Sequence, residues 1–327
     1  MPEDNSENKT RFSEKQPLIS KIVFIVATAL CLTPLLSSPI ALLIGLILAQ
    51  TTGHPFSQYN HKATQILLQV SVVGLGFGMN CITAISAGKE GLLFAAVSII
   101  TTLFLGYGLG RLFKIDAKTS HLISSGTAIC GGSAIAAISK VLNTEEKQTS
   151  VALGTVFILN SIALFIFPAI GHALNLSQHQ FGVWSAIAIH DTSSVVGASS
   201  KYGAEALQVA TTVKLIRALW IVPLAIATSI IFQKRPAKIK IPYFIIYFII
   251  AMVIGTYLPV YMPSFAVIIP YLTTSAKSGL TLTLFLIGAG SSYKMLKSVG
   301  YKPLLQGVIL WIFISVISLW AVENILK

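Results

Sequence analysis

Charge is what this sequence has least of. Only 10% of its 327 residues are Asp, Glu, Lys or Arg, against about a quarter in an ordinary soluble domain. More than half, 54%, are hydrophobic, and no soluble core of this length could bury that surplus. Cysteine is scarce too: Cys31, Cys81 and Cys130 stand far apart and form no Cys-x-x-Cys pair, so neither a disulfide framework nor a zinc site is indicated. The Gly-x-x-x-x-Gly-Lys-Ser/Thr loop is missing, which excludes work driven by the chain's own nucleotide hydrolysis. Gly131-Gly-Ser-Ala-Ile135 lacks the closing glycine of a Gly-x-Ser-x-Gly nucleophile elbow. The expectation is a protein that is not an enzyme and holds no cofactor or metal.

What is present is apolar length. A bilayer core about 30 Å thick takes roughly 20 apolar residues per helix, and such runs follow one another from Lys21 almost to Lys327. Ordinary spans are expected at 21–36, 39–50, 64–80, 92–113, 148–172, 206–232, 242–259, 265–290 and 303–323. The fold class is therefore all-α integral membrane, with about 9–11 transmembrane helices. Residues 1–18 read as a disordered cytoplasmic tail, polar and poor in apolar side chains, ahead of a single polytopic membrane domain over 19–327. No small-residue cleavage site follows the first apolar run, so a cleaved signal peptide is not expected.

Two further stretches, 119–140 and 181–200, are rich in Gly, Ser, Thr and Ala and read as interrupted or re-entrant segments. Basic clusters set the orientation: Lys9, Arg11, Lys15 and Lys21; Arg111, Lys114 and Lys118; Lys234, Arg235, Lys238 and Lys240; Lys294, Lys297 and Lys302. All four belong on the cytoplasmic side, whereas the loops 173–180 and 260–264 carry no Lys or Arg and belong on the other. Full crossing by both broken stretches would put 173–180 in the cytoplasm. Re-entry by both lets every loop take its preferred side and is the favoured reading. The formal net charge of +12 thus reflects topology, not a nucleic-acid partner.

A shift of 61 lays Cys130–Lys140 onto Asp191–Lys201, each followed by a long apolar helix. A shift of 212 pairs Gly76, Gly78, Ser86 and Gly88 with Gly288, Gly290, Ser298 and Gly300. The topology makes the paired units antiparallel, so inverted pseudo-symmetry is expected, an architecture of secondary transporters.

Irregular backbone persists at membrane depth only where protein buries it or water lines it, so the broken stretches mark a polar cavity. Free N–H groups at a half-helix start carry partial positive charge and suit anions. Gly131, Gly132 and Ser133 fit that role, as do Thr192, Ser193 and Ser194. His190 and Asp191 are ionisable groups at a depth where ionisable groups usually serve a pathway, and they are candidates for proton coupling. Lys214 and Arg217, three apart on one helix face, suit an anion's charge; the plainer alternatives are a structural pair with Asp191 or snorkelling to an interface. Asn80, Thr127 and Asn160 are candidate polar lining, although such residues more often bond a neighbouring helix.

Gly126-Thr-Ala-Ile-Cys-Gly-Gly-Ser-Ala-Ile-Ala-Ala137, His190-Asp191 with Val195-Val-Gly-Ala198, Val213-Lys-Leu-Ile-Arg217 and Val73-Gly-Leu-Gly-Phe-Gly-Met-Asn80 together resemble the YeiH type of bacterial multi-pass membrane protein, grouped as a sulfate exporter family. The likeness runs from about Leu35 to the last helix. It implies an inner-membrane protein distantly similar to the cation–proton antiporter and anion transporter superfamily, whose folds cross two interrupted helices at the substrate site. The paired aspartates of many sodium–proton exchangers are replaced here by Asp191 beside a histidine, which weakens cation exchange. The expected function is secondary transport, in the export direction, of a small anion such as sulfate or a sulfonate, with proton coupling and a homodimeric assembly in the inner membrane. The alternatives are a cation exchanger or channel using Asp191 and an intramembrane hydrolase using Ser133.

Overall fold

The computed structural model describes residues 18–33, 36–51, 53–233, 243–290 and 299–326, with backbone alone at 19, 61, 83 and 86–93. The expected tail, three of the four basic clusters in large part, and Ser298 of the second echo lie outside the described residues. Fourteen helices and no strand are found among the described residues.

Three come first: α1 (Leu18–Cys31), α2 (Ser38–Thr51) and α3 (Ser57–Gly76). The long α4 (Cys81–Leu112) leads to α5 (Ala117–Ala128) and α6 (Gly132–Leu142), then α7 (Glu146–Ala173) to α8 (Gln178–Ala188) and α9 (Thr192–Tyr202). The chain closes with α10 (Ala204–Leu219), α11 (Ile221–Gln233), α12 (Tyr243–Tyr261), α13 (Pro263–Gly290) and α14 (Tyr301–Ile325). Each of the nine expected ordinary spans contains helix. The 206–232 span divides at Trp220, because Pro223 cannot donate to Leu219 and its ring crowds that carbonyl.

By length and composition, five described stretches suffice to cross a bilayer: Phe94–Leu112, Glu146–Ala173, Ala204–Phe232, Tyr243–Tyr261 and Tyr301–Ile325. α1 and α2 are apolar but only 14 residues long each. Large apolar side chains cover the outside, among them Ile22, Phe104, Ile230, Tyr247, Val316 and Trp320. A soluble monomer rarely exposes so continuous an apolar surface; lipid contact accounts for it.

The two broken stretches are both hairpins. Lys118 Nζ donates to the Asn143 carbonyl at 3.1 Å and Gln148 Nε2 to Asp116 Oδ2 at 2.8 Å, so the start of α5 lies beside the end of α6. Laid end to end, the same residues would span about 37 Å. In the second unit, Tyr202 donates to the Leu176 carbonyl at 2.6 Å and stacks on Phe181 at 3.8 Å. The Ser185 and Ser199 hydroxyls meet at 3.0 Å across its arms. The favoured re-entrant reading therefore holds for both.

Between the open ends of the hairpins runs α7, 28 residues and about 42 Å long, so the hairpins enter from opposite faces. Arms of 11 or 12 residues reach about 17 Å, half the bilayer core. Their tips meet: a Cβ on Gly131 would lie 3.4 Å from the Asp191 backbone. One face gathers Lys114, Asp116, Lys147 and Lys302 around a shared cleft. The other holds Leu176, Gln178 and the chain end, where Gln180 bonds the Leu326 carbonyl. The described basic loops thus share one face, as the charge pattern requires.

Candidate functional site

Each hairpin turns at a three-residue break. In the first, Ile129-Cys130-Gly131, the turn needs Gly131 at φ +63°, where a Cβ would be strained. In the second, Ile189 and Asp191 are extended. The helices that follow start at Gly132 and Thr192 and are both 11 residues long, so the structural register of the repeat is 60. The sequence shift of 61 is off by one, because Gly131 and Asp191 hold the equivalent capping position.

Four half-helix ends converge here. Carbonyls at the ends of α5 and α8 point into the interior, where lipid cannot satisfy them, and α10 supplies the donors. Lys214 Nζ donates to the carbonyls of Ala186 at 3.2 Å and Ile189 at 2.7 Å. Arg217 donates through Nε to the Ala128 carbonyl at 2.7 Å and through Nη1 to that of Ile187 at 2.5 Å. One guanidinium thereby clamps both breaks. The two cations are fully buried and face the negative ends of two helix dipoles. They neither snorkel nor pair with Asp191, whose carboxylate instead caps α9, accepting from the Ser193 N–H at 3.0 Å and from the Ser193 hydroxyl.

Asn160, midway along α7, ties the second break in place: its Oδ1 accepts from the His190 N–H at 3.1 Å and the Asp191 N–H at 3.2 Å. Its own amide nitrogen has no partner among the described residues, nor do Arg217 Nη2, the Thr127 hydroxyl and both ring nitrogens of His190, all buried. The sequence pairing of His190 with Asp191 is thus not a hydrogen-bonded dyad: the carboxylate serves Ser193 and the imidazole stands apart.

The positive half-helix ends differ. At α6 no side chain caps the helix, and the Gly132 and Ser133 N–H groups have no backbone acceptor among the described residues. Ser133 is exposed, and Gly132, Asp191 and Thr192 are half-buried. At α9 the N-terminus is closed by Asp191, and Ser193 and Ser194 are buried. The same contrast runs through the first two turns of these arms: Ser133 and Ala136 on α6 are exposed, while their equivalents on α9, Ser193 and Val196, are buried, and a Cβ on Gly197 would meet Leu164, Leu284 and Ser38. An exposed half-helix start at mid-depth needs water or further protein around it, because lipid cannot satisfy its N–H groups.

The crossing therefore brings together Thr127, Gly131, Gly132, Ser133, Asn160, His190, Asp191, Thr192, Ser193, Ser194, Lys214 and Arg217. Asn80 is placed elsewhere: its side chain caps α4 at the Ile82 N–H, next to Thr256 of α12. Reasoning from side chains missed the carbonyl acceptors, which no residue type advertises. It also missed Gln306 of α14, fully buried against Ser120 and Ser124, although a lone Gln in an apolar run is a visible signal.

The family model described as "Conserved hypothetical protein 698" matches residues 17–307. A UPF0324 membrane protein of Bacteroides thetaiotaomicron is 58% identical over 282 residues, 86% of this chain and 84% of the relative. Those of Photobacterium profundum and Porphyromonas gingivalis are 50% and 49% identical over 309 and 325 residues, covering 94% and 96% of this chain and 94% and 98% of theirs. No solved structure matches. With an all-α membrane fold and relatives of the same length named only as membrane proteins, the chain belongs to the family described as conserved hypothetical protein 698, the UPF0324 membrane proteins.

Proposed function

We propose that this protein is a secondary transporter that exports a small anion of the sulfate or sulfonate class, bound at the meeting of the two hairpins and coupled to protons through His190 and Asp191. The observation that carries the reading is the charge balance of the crossing. Both negative helix ends are already occupied by Lys214 and Arg217. The positive end of α6 is left uncapped and accessible. Two buried cations against one carboxylate leave one positive charge unbalanced, and an anion on the Gly132 and Ser133 N–H groups would balance it. Asp191 already places a carboxylate at the neighbouring helix start, so its protonation would ease anion entry, which ties proton and anion movement together. The basic face is read as cytoplasmic, in a bacterial inner membrane.

Sulfate flux in proteoliposomes, with and without a pH gradient, tests this. Lys214→Gln keeps a donor for Ile189 but removes the charge, and should slow sulfate at least about tenfold; an unchanged rate would defeat the charge assignment. The half-buried Asp191 carboxylate also supports a second reading, cation exchange with Asp191 as ligand. Asp191→Asn separates the two: anion transport should persist and lose its dependence on the pH gradient, whereas cation exchange should vanish.

A further inference from the structure

Three membrane spans end at one cleft, far from the crossing. Lys114 lies two residues past the end of α4, and Lys147 and Lys302 are the second residues of α7 and α14. With Asp116, Gln148 and Gly300 they line an open cleft of about 530 Å³. Each lysine stands at the end of a stretch long and apolar enough to cross a bilayer. The cleft therefore lies where the hydrocarbon core gives way to the phospholipid headgroups.

Nothing in the protein matches this charge. None of the three lysine side chains has a hydrogen-bond or ion-pair partner among the described residues. Asp116, the carboxylate that lines the cleft, is engaged by uncharged donors: its Oδ2 accepts from the Thr119 N–H at 2.9 Å, the Thr119 hydroxyl at 3.0 Å and Gln148 Nε2 at 2.8 Å. Glu145, close by in the chain, caps α7. Three ammonium groups against one carboxylate leave two positive charges over. Lys147 and Lys302 also sit in the first turns of their helices, where the positive end of the dipole disfavours a cation. At α14 nothing offsets this: its first turn has no acidic residue, no side chain caps it, and the Tyr301 and Lys302 N–H groups have no backbone acceptor among the described residues. An anion in the cleft would relieve all of these at once.

The neighbours of the lysines say which kind of anion. Leu112, Tyr301 and Leu305 are 71%, 75% and 42% exposed, and Leu305 lies one turn into the span from Lys302. A free anion leaves such apolar side chains untouched, whereas an anion that carries acyl chains covers them. We propose that the cleft holds the phosphate headgroup of an anionic phospholipid, its acyl chains lying against α4 and α14. Basic pockets between spanning helices suit such headgroups. The phosphate oxygens accept charge-assisted bonds from the three lysines and bonds from the free N–H groups that open α14. Since Lys114 and Asp116 lead into α5 and Lys147 opens α7, one bound headgroup ties the open end of the first hairpin to the start of α14. The site lies about 17 Å, one hairpin arm, from the crossing and does not depend on what binds there.

Native mass spectrometry of the full chain, stripped of lipid in an uncharged detergent, tests this with phosphatidylglycerol and phosphatidylcholine as probes. Phosphatidylglycerol should bind at least about tenfold more tightly than phosphatidylcholine. Lys147→Gln combined with Lys302→Gln should weaken phosphatidylglycerol about twentyfold, at about fivefold per lysine. The charge-matched pair Lys140→Gln and Lys201→Gln, exposed and outside the cleft, should leave it within about twofold. Equal weakening by the two pairs, or by neither, would overturn the site. Inorganic phosphate that displaces the lipid at equal concentration would make it a site for a free anion instead, and would overturn the lipid assignment. A phosphatidylglycerol with a photoreactive headgroup decides the case on the wild type alone, whether or not the glutamine pair folds. It should label the peptides that carry Lys114, Lys147 or Lys302, and labelling confined to other peptides would overturn the proposal.

Discussion

Arg217→Met is expected to unfold or uncouple the crossing, and to be the most damaging single substitution on α10. Methionine fills much of the volume but donates nothing, so the Ala128 and Ile187 carbonyls, each held by this one side chain, lose their donor. Neither can turn to water, because the segments around them are buried. At about 1–3 kcal/mol for each orphaned group, the loss takes a large share of a stability on the order of 5–15 kcal/mol. Arg217→Lys should recover only part of it. An ammonium is a compact donor on a flexible stem, whereas the guanidinium is a planar fork whose Nε and Nη1 address carbonyls of two different hairpins. Thermal unfolding in detergent should rank wild type above the Lys variant and the Lys variant above Met. A Met variant as stable as wild type would remove Arg217 from the clamp.

That substitution also marks where the sequence stops being legible. The spans could be read because each is a long apolar run, and bilayer thickness converts run length into helix count. The broken stretches could be read because Gly131-Gly132 and the polar His190-Asp191 sit where an unbroken helix would want aliphatic side chains. Re-entry followed from charge alone: basic loops on one side, uncharged ones on the other. The direction of the Lys214 and Arg217 side chains did not. Two cations on one helix face fit a substrate anion as well as a structural role, and only the backbone path of α5 and α8 reveals that carbonyl ends lie within their reach. The repeat register erred by one for a related reason. Gly131 and Asp191 share no chemistry, yet both occupy the position just before a helix start, a backbone property that residue matching does not see. Asn80 was misplaced because an Asn after a glycine-rich turn is equally suited to lining a cavity and to capping the next helix, and α4 takes it as a cap.

Gly45→Ala and Gly288→Ala should each lower the unfolding temperature, and the double variant should fall short of their sum. The two glycines are reciprocal: a Cβ on Gly45 would come within 2.1 Å of the Phe285 carbonyl oxygen, and one on Gly288 within 2.2 Å of that of Leu42. Both obstacles are backbone, so neither can rotate away, and α2 and α13 must separate to admit a methyl group. Small residues allow such close helix approach in membranes, where packing replaces the hydrophobic drive between helices. Overpacking of this kind costs about 1–3 kcal/mol. Once the first methyl has pushed the helices apart, the second enters space already opened, so the two costs share one displacement and cannot add. The consequence reaches the crossing, because α2 and α13 are also what α9 rests on: Ser38 and Leu284 flank Gly197. Loosening that contact should expose the sealed arm. A cysteine placed at Val196, buried in the native packing, should then react with a thiol reagent several-fold faster in the Gly288→Ala background. Unchanged reactivity, with the stability loss intact, would show that α9 keeps its seal independently of the α2–α13 contact.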